Sequence, residues 1–386
     1  MVEWKKLGEI CEIKGRIGFR GYTRKDQVGK GEGAISLSPG NINAGSMVYE
    51  SCTYITWEKY EESPEIMVNE GDIILCKTAS VGKVARIKTL PEKATINPQL
   101  VLIKNIHTNP QYLFYILDDN PFQSKIKGLA GVGSVPNVSQ AKLSDILIPI
   151  PSLEEQTRIV GILDTFTSAI DNLKEQIAQR RKQYEYYRDQ LLDLEGKSGV
   201  EMKKLGEVCG IFDGTHQTPS YVDAGIKFVS VENIKDIYSS CKYISIEDYQ
   251  KNYKIKPQKG DVLMTRIGDV GSCAVVDGDE PIAYYVSLSL LRPSNNIALS
   301  NYVKYILESK TGKNELRKKT LLTAVPLKIN LGDIGKIKLP FPNLSEQQRI
   351  VSILDTFESS IQNLEAQLSQ REKQYEYYRN KLLTFE

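Results

Sequence analysis

Histidine is scarce in this chain, with two among 386 residues, and the six cysteines include no CxxC pair. So few nitrogen and sulfur ligands at such spacing argue against a zinc site or a disulfide framework, and the reduced thiols point to a cytoplasmic protein. No run of 18 apolar residues and no charged-then-apolar leader is present, so neither membrane spanning nor export is expected. A GxxxxGK[ST] phosphate loop is also missing. The glycine clusters at 29–33 and 131–134 lack the strand before and helix after that would make them cofactor loops.

Catalytic patterns are equally thin. Asn109-Pro110-Gln111-Tyr112 departs at its third residue from the Asn-Pro-Pro-Tyr motif of amino-group DNA methyltransferases, and it reads as a proline-containing helix start. Asp72 near Lys77 suggests nuclease chemistry, but the second half offers Asp261 and Arg266 with no further acid spaced for a metal. Neither His107 nor His216 has a nucleophile beside it in sequence. No catalytic residue, no metal ligand and no cofactor of the chain's own is expected.

What the chain does have, it has twice. Residues 149–195 and 340–386 align without a gap at an offset of 191, with 30 of 47 positions identical. In the first copy Ile170, Leu173, Ile177, Tyr184, Tyr187 and Leu191 recur at steps of three and four once Arg180, between Ile177 and Tyr184, is counted, as Arg371 is in the second. Ile361, Leu364, Leu368, Tyr375, Tyr378 and Leu382 do so in the second. That alternation is a coiled-coil seam. Pro151-Ser152 and Pro342-Asn343 supply the starts, and a helix from Gln156 to Leu194 is expected, with a kink possible at 164–167. Bare seams are costly in water, so the two helices are expected to pack antiparallel on each other. Pairing with another protein, or dimerisation, stays open. Arg180 and Arg371 occupy core-type positions, for register, for a partner contact or as snorkelling surface side chains.

The duplication extends upstream. VEWKKLGEIC opens the chain and VEMKKLGEVC reopens it at 200–209; GDIILCK (71–77) is answered by GDVLMTR (260–266). The expected architecture is α+β: two similar mixed α/β domains at 1–150 and 199–341, each followed by a long helix (151–198 and 342–386), forming a pseudo-twofold antiparallel coiled coil. Short Ile/Val-rich runs at 34–37, 72–76, 84–88 and 100–104 suggest strands of one twisted, barrel-like sheet, with a helix near 110–127 and its counterpart near 299–318. Net charge is +2, but the helical segments sum to −5, so the globular parts carry +7. That bias suits a polyanionic ligand.

The loops hold side chains of the DNA-contacting kind at equivalent places. The first domain offers Arg16, Arg20, Tyr22, Arg24 and Lys25, then Ser38 and Asn41, then Lys77, Thr78, Ser80 and Lys83. The second offers Thr215, His216, Gln217, Thr218 and Tyr221, then Asn233, then Arg266 and Asp269, with Lys313 in a basic group running to Lys319. Arginine can grip guanine edges, amides suit adenine, and Ser, Thr and Lys hold phosphates.

The whole chain resembles the DNA-specificity subunits of type I restriction–modification systems. The resemblance lies in the KKLGE openings, the EQxRIVxILD signature at 155–164 and 346–355, and the order domain–helix–domain–helix. It implies that each domain reads half of a split site in double-stranded DNA and that the helices act as spacer. It further implies two docked modification subunits that bring S-adenosylmethionine and methyl transfer, with an ATP- and Mg-dependent restriction subunit as a further partner. A scaffolding coiled-coil protein with protein-binding domains, or a self-sufficient methyltransferase or nuclease, are the alternatives.

Overall fold

The structure, a computed structural model, describes residues 2–131 and 135–385, without the side chain of Phe19. Most of the 131–134 glycine cluster therefore lies outside the described residues. The chain forms two compact units, Met1–Asn172 with Leu368–Glu386, and Leu173–Gln367. The two long helices expected at 151–198 and 342–386 are divided between the units. Each unit takes half of each helix.

In the first unit β1 (Glu3–Lys6) pairs antiparallel with β9 (Leu147–Ile150). A second sheet orders β2 (Glu12–Lys14), β8 (Leu100–Lys104), β5 (Ile73–Cys76) and β6 (Val84–Arg86), all antiparallel. A third is mixed: β7 (Ala94–Ile96) runs parallel to β3 (Gly33–Leu37), which pairs with β4 (Thr53–Thr56). The expected single barrel-like sheet is thus two sheets face to face, because Asn97–Gln99 carries the chain from β7 in one to β8 in the other.

Alternation along the central strands explains the layering. Ile73 and Leu75 of β5, with Val101 and Ile103 of β8, face a helical layer; Ile74, Cys76, Leu100 and Leu102 face the mixed sheet. The helical layer is α1 (Pro110–Asp118) and α2 (Asn120–Leu129). NPQY opens a helix, as its proline suggests, and Asn109 caps it by accepting from the Gln111 and Tyr112 amides. One helix was expected here; Pro121 has no N–H to continue the first helix's bonding, and the element breaks in two at Asp119, which is extended (φ −77°, ψ 148°).

The second unit repeats the plan. β10 (Glu201–Lys204) pairs with β18 (Lys338–Phe341). The antiparallel sheet orders β11 (Cys209–Asp213), β17 (Leu288–Pro293), β14 (Val262–Thr265) and β15 (Cys273–Val275). In the mixed sheet β12 (Ile226–Val229) lies between β13 (Tyr243–Ile244) and a parallel β16 (Ile282–Tyr284). Helices α4 (Ser300–Glu308) and α5 (Lys310–Lys319) cover the other face, broken at the Ser309 cap. Cys11 and Cys209 sit at matching places, buried, with burial pushing each thiol up to about 12. They remain protonated packing groups.

The long helices are α3 (Leu153–Leu191) and α6 (Leu344–Leu383), begun by Ser152 and Asn343 side chains accepting from the Glu155 and Glu346 amides. Their 39 and 40 residues give rods of roughly 60 Å. The first runs as one element through 164–167, where Thr165 and Thr167 return hydroxyl bonds to the Gly161 and Asp164 carbonyls. It starts and stops three residues earlier than expected. Leu192 and Leu194 leave the helix to join the second unit's core, and Lys197 N turns back to Leu194 O.

The EQxRIVxILD signature now has a physical content. Gln156 is buried, accepts from Thr108 Oγ1 (2.7 Å) and Asn109 N (3.0 Å), and donates to Pro151 O (2.9 Å). Gln347 plays the matching part, accepting from Leu299 N and donating to Ile297 O and Pro342 O. Tyr115 and Tyr305 donate to Asp164 (2.5 Å) and Asp355 (2.6 Å). These bonds weld each helix start to its own domain.

The seam is antiparallel within each unit. In the first, Phe166 stacks on Tyr378 at 5.3 Å, with Arg371 over the Phe166 ring. In the second, Phe357 stacks on Tyr187 at 5.5 Å, with Arg180 over the Phe357 ring. The two core-position arginines thus cover aromatic faces. Ile170 and Ile177 are buried; Leu173, Tyr184, Leu191, Ile361, Leu364, Leu368, Tyr375 and Leu382 are half-buried, as a two-stranded seam allows. Tyr187 and Tyr378 keep their outer faces exposed. No helix among the described residues is long and apolar enough to cross a membrane.

Candidate nucleic-acid interface

One junction of loops closes the same end of the antiparallel sheet in each unit. In the first, the turn after β5 has Lys77 N and Thr78 N donating to Gln99 O, and Val138 N donating to Lys77 O. Ala79 N donates to Pro136 O, and Thr78 Oγ1 to Asn137 Oδ1 (2.7 Å). Gly82 closes the turn at φ 98°, with the Gln123 side chain so near that a Cβ would overlap it. In the second unit the turn after β14 repeats the frame. Arg266 N donates to Ser287 O, Ile329 N to Arg266 O and Gly268 N to Leu327 O. Gly271 takes the place of Gly82, at φ 103°.

The side chains on this common frame differ. Arg16 is 5% exposed and donates to Ile96 O (3.1 Å), Thr95 Oγ1 (3.1 Å) and Arg20 O (3.2 Å), while its guanidinium lies over the Tyr22 ring. Tyr22 accepts from Ser36. Its donors hold the 15–22 loop onto β7. Arg20 reaches Glu65 at 3.4 Å. Asn41 is also buried, accepting from Ser38 N and Oγ and donating to Val48 O, so it caps a turn. Arg24 and Lys25 stand exposed on a short turn fixed by Thr23 and Asp26. Lys77 is half-buried, and Ser80 and Lys83 are exposed.

In the second unit Arg266 is 8% exposed and gives both Asp213 oxygens a bond from Nη2 (2.8 and 3.0 Å). His216 Nε2 lies 2.8 Å from the same carboxylate, with most of the ring in solvent. Arg266 and His216 thus share one carboxylate, which ties the guanidinium to the loop that carries His216. Thr215 is half-buried; Gln217, Thr218 and Tyr221 are exposed. Asn233 accepts from Ser230 N, repeating the Ser38–Asn41 turn, and Val231 N ties that turn to Ser287 Oγ (3.3 Å). Asp269 accepts from Ser272. Lys313 stands apart on α5.

Sequence reading missed Asn97, Gln99 and Asn137, polar groups gathered at the first junction, and Asp213 and Ser287 at the second. The short INPQL link between two apolar runs carries the only sequence signal for the first pair. Amides at such a surface suit adenine edges.

A frame built twice, bearing different polar tips and followed each time by a long helix, defines a tandem recognition protein. The type I restriction modification DNA specificity domain matches at residues 1–180 and again at 197–372. A putative type I restriction enzyme specificity subunit of Haemophilus influenzae is 31% identical over 294 residues, covering 72% of each chain. A type I restriction enzyme specificity subunit of Methanocaldococcus jannaschii is 27% identical over 349 residues, covering 83% of this chain and 80% of that one. The type I S subunit of M. genitalium shares the fold at a TM-score of 0.62 and 15% identity, over 100% of this chain and 97% of that chain. The chain belongs to the type I restriction modification DNA specificity family, and it carries the family's domain in two copies.

Proposed function

We propose that each domain reads one half of a bipartite site in double-stranded DNA, and that α3 and α6 act as spacer and as the platform for two modification subunits. The observation that carries this is the duplicated junction: identical backbone bonds at Lys77 and Arg266, with divergent polar side chains around them. Shared frame and different tips are what two readers of unlike half-sites require. A chain of 20% identity with the same fold comes from work on complex assembly of the type I restriction–modification system, which supports the partner assignment. In this reading the chain is non-catalytic and cytoplasmic. S-adenosylmethionine, ATP and Mg belong to the modification and restriction subunits.

A selection from random duplex DNA with the full chain and its co-purifying subunits tests this. It should return two short specified blocks separated by a fixed unspecified gap. A single continuous motif, or none, refutes the assignment.

Within that site Arg24 and Lys25 are the exposed cations of the first domain's arm. Replacing both with Ala should weaken one block's discrimination by about tenfold, roughly 1.4 kcal/mol, and leave the other block untouched. Competition binding with single-base variants checks it. Equal loss on every sequence would show phosphate contact alone.

A further inference from the structure

Beside Arg266 the second unit displays a hairpin that the reading chemistry does not use. Leu321 N donates to Lys328 O (2.7 Å), and Gly268 N fixes the returning arm through Leu327 O (2.8 Å). Its tip is apolar and bare: Leu322 is 57% exposed and Val325 is 100% exposed, with Leu321 and Leu327 also in solvent. The arms are basic, with Lys319 leading in and Lys328 leading out, both exposed.

The first unit carries the same dipeptide one residue out of step: Ala79 N donates to Pro136 O, where Gly268 N donates to Leu327 O, and Val135 is 54% exposed. The full apolar tip with basic arms therefore belongs to the second unit. Flanking cations fit phosphates better than an apolar protein groove, and the feature of any duplex that takes an apolar side chain is its base stack.

We propose that the Leu321–Lys328 hairpin is an apolar wedge, with Val325 and Leu322 entering the second half-site's DNA and pushing a base step apart while Lys319 and Lys328 hold the adjoining phosphates. This rests on the DNA-reading assignment above.

Duplexes of the selected site, with 2-aminopurine at successive positions of the second half-site, test it against the full chain with its co-purifying subunits. Binding should brighten the probe at least twofold at one step. The double variant Leu322→Ser/Val325→Ser should abolish that brightening and lower affinity about tenfold while preferring the same bases. Val325 is fully exposed and Leu322 mostly so, and neither belongs to a core cluster, so the variant is expected to keep its fold. Binding without brightening at any step, or brightening that survives the double substitution, overturns the wedge and leaves DNA reading intact. Failure to select any two-part site removes both. A variant that loses its subunits but keeps the brightening shows a protein-docking tip and overturns the wedge.

Discussion

Arg379→Ala is expected to destabilise the first unit by about 3–5 kcal/mol, the usual consequence of stripping one partner from a buried ion pair. Arg379 leans over the Tyr375 ring, with Nε 3.3 Å from Asp119 and Nη1 3.8 Å from Asp118. Asp119 is 4% exposed at the break between α1 and α2, so its charge has little water to fall back on. Burial already raises the pKa of both carboxylates above the ordinary value of 3.8, and Arg379 works against that rise. Removing the cation raises them further. A carboxyl whose folded pKa exceeds its unfolded one favours folding while protonated, and that advantage is lost as pH climbs from 3.8 through the folded value. The variant's deficit should therefore be largest near neutral pH and narrow toward pH 4. Urea melts of both proteins across that range measure it, and a pH-independent deficit would point to lost packing instead. Arg379→Lys, which keeps the charge, should recover part of the loss.

Deleting one heptad from each long helix is expected to shorten the unread gap of the DNA site by about three base pairs. Seven residues of helix are ~10.5 Å, and duplex DNA rises ~3.4 Å per base pair. A whole heptad returns the seam to the same face, so Phe166–Tyr378 and Phe357–Tyr187 can both re-form. The deletion must fall between these stacks, within 173–183 of α3 and the facing part of α6. Methylation protection with the reconstituted complex reads the gap directly. An unchanged gap would show that the helices do not set it; removing three or four residues should abolish folding of the seam.

Legibility in the sequence followed the range of the interactions. Asn109 as a cap, Ser152 and Asn343 as helix starts, and the aromatic seam were readable because each depends on neighbours within a turn or two, or on a repeated spacing. The helix break at Asp119 was harder to read, since a proline such as Pro121 is equally at home in the first turn of a new helix and within a loop. The barrel-like sheet was wrong for a different reason. Strands of three to five residues say which face is apolar, but not which of two sheets a strand joins, and Asn97–Gln99 made that choice.

The loops divide the same way. Arg16 and Arg266 look like readers by residue type, yet Arg16 ends on Ile96, 80 residues on, and Arg266 on Asp213, 53 residues back. By itself the sequence determined the duplication, the helical seams and the chemistry available to the loops, because spacing and composition are properties of the chain. Only the tertiary structure decided which cations stay in water and which are consumed in holding loops together. A guanidinium's exposure is set by partners that folding brings to it from far along the chain.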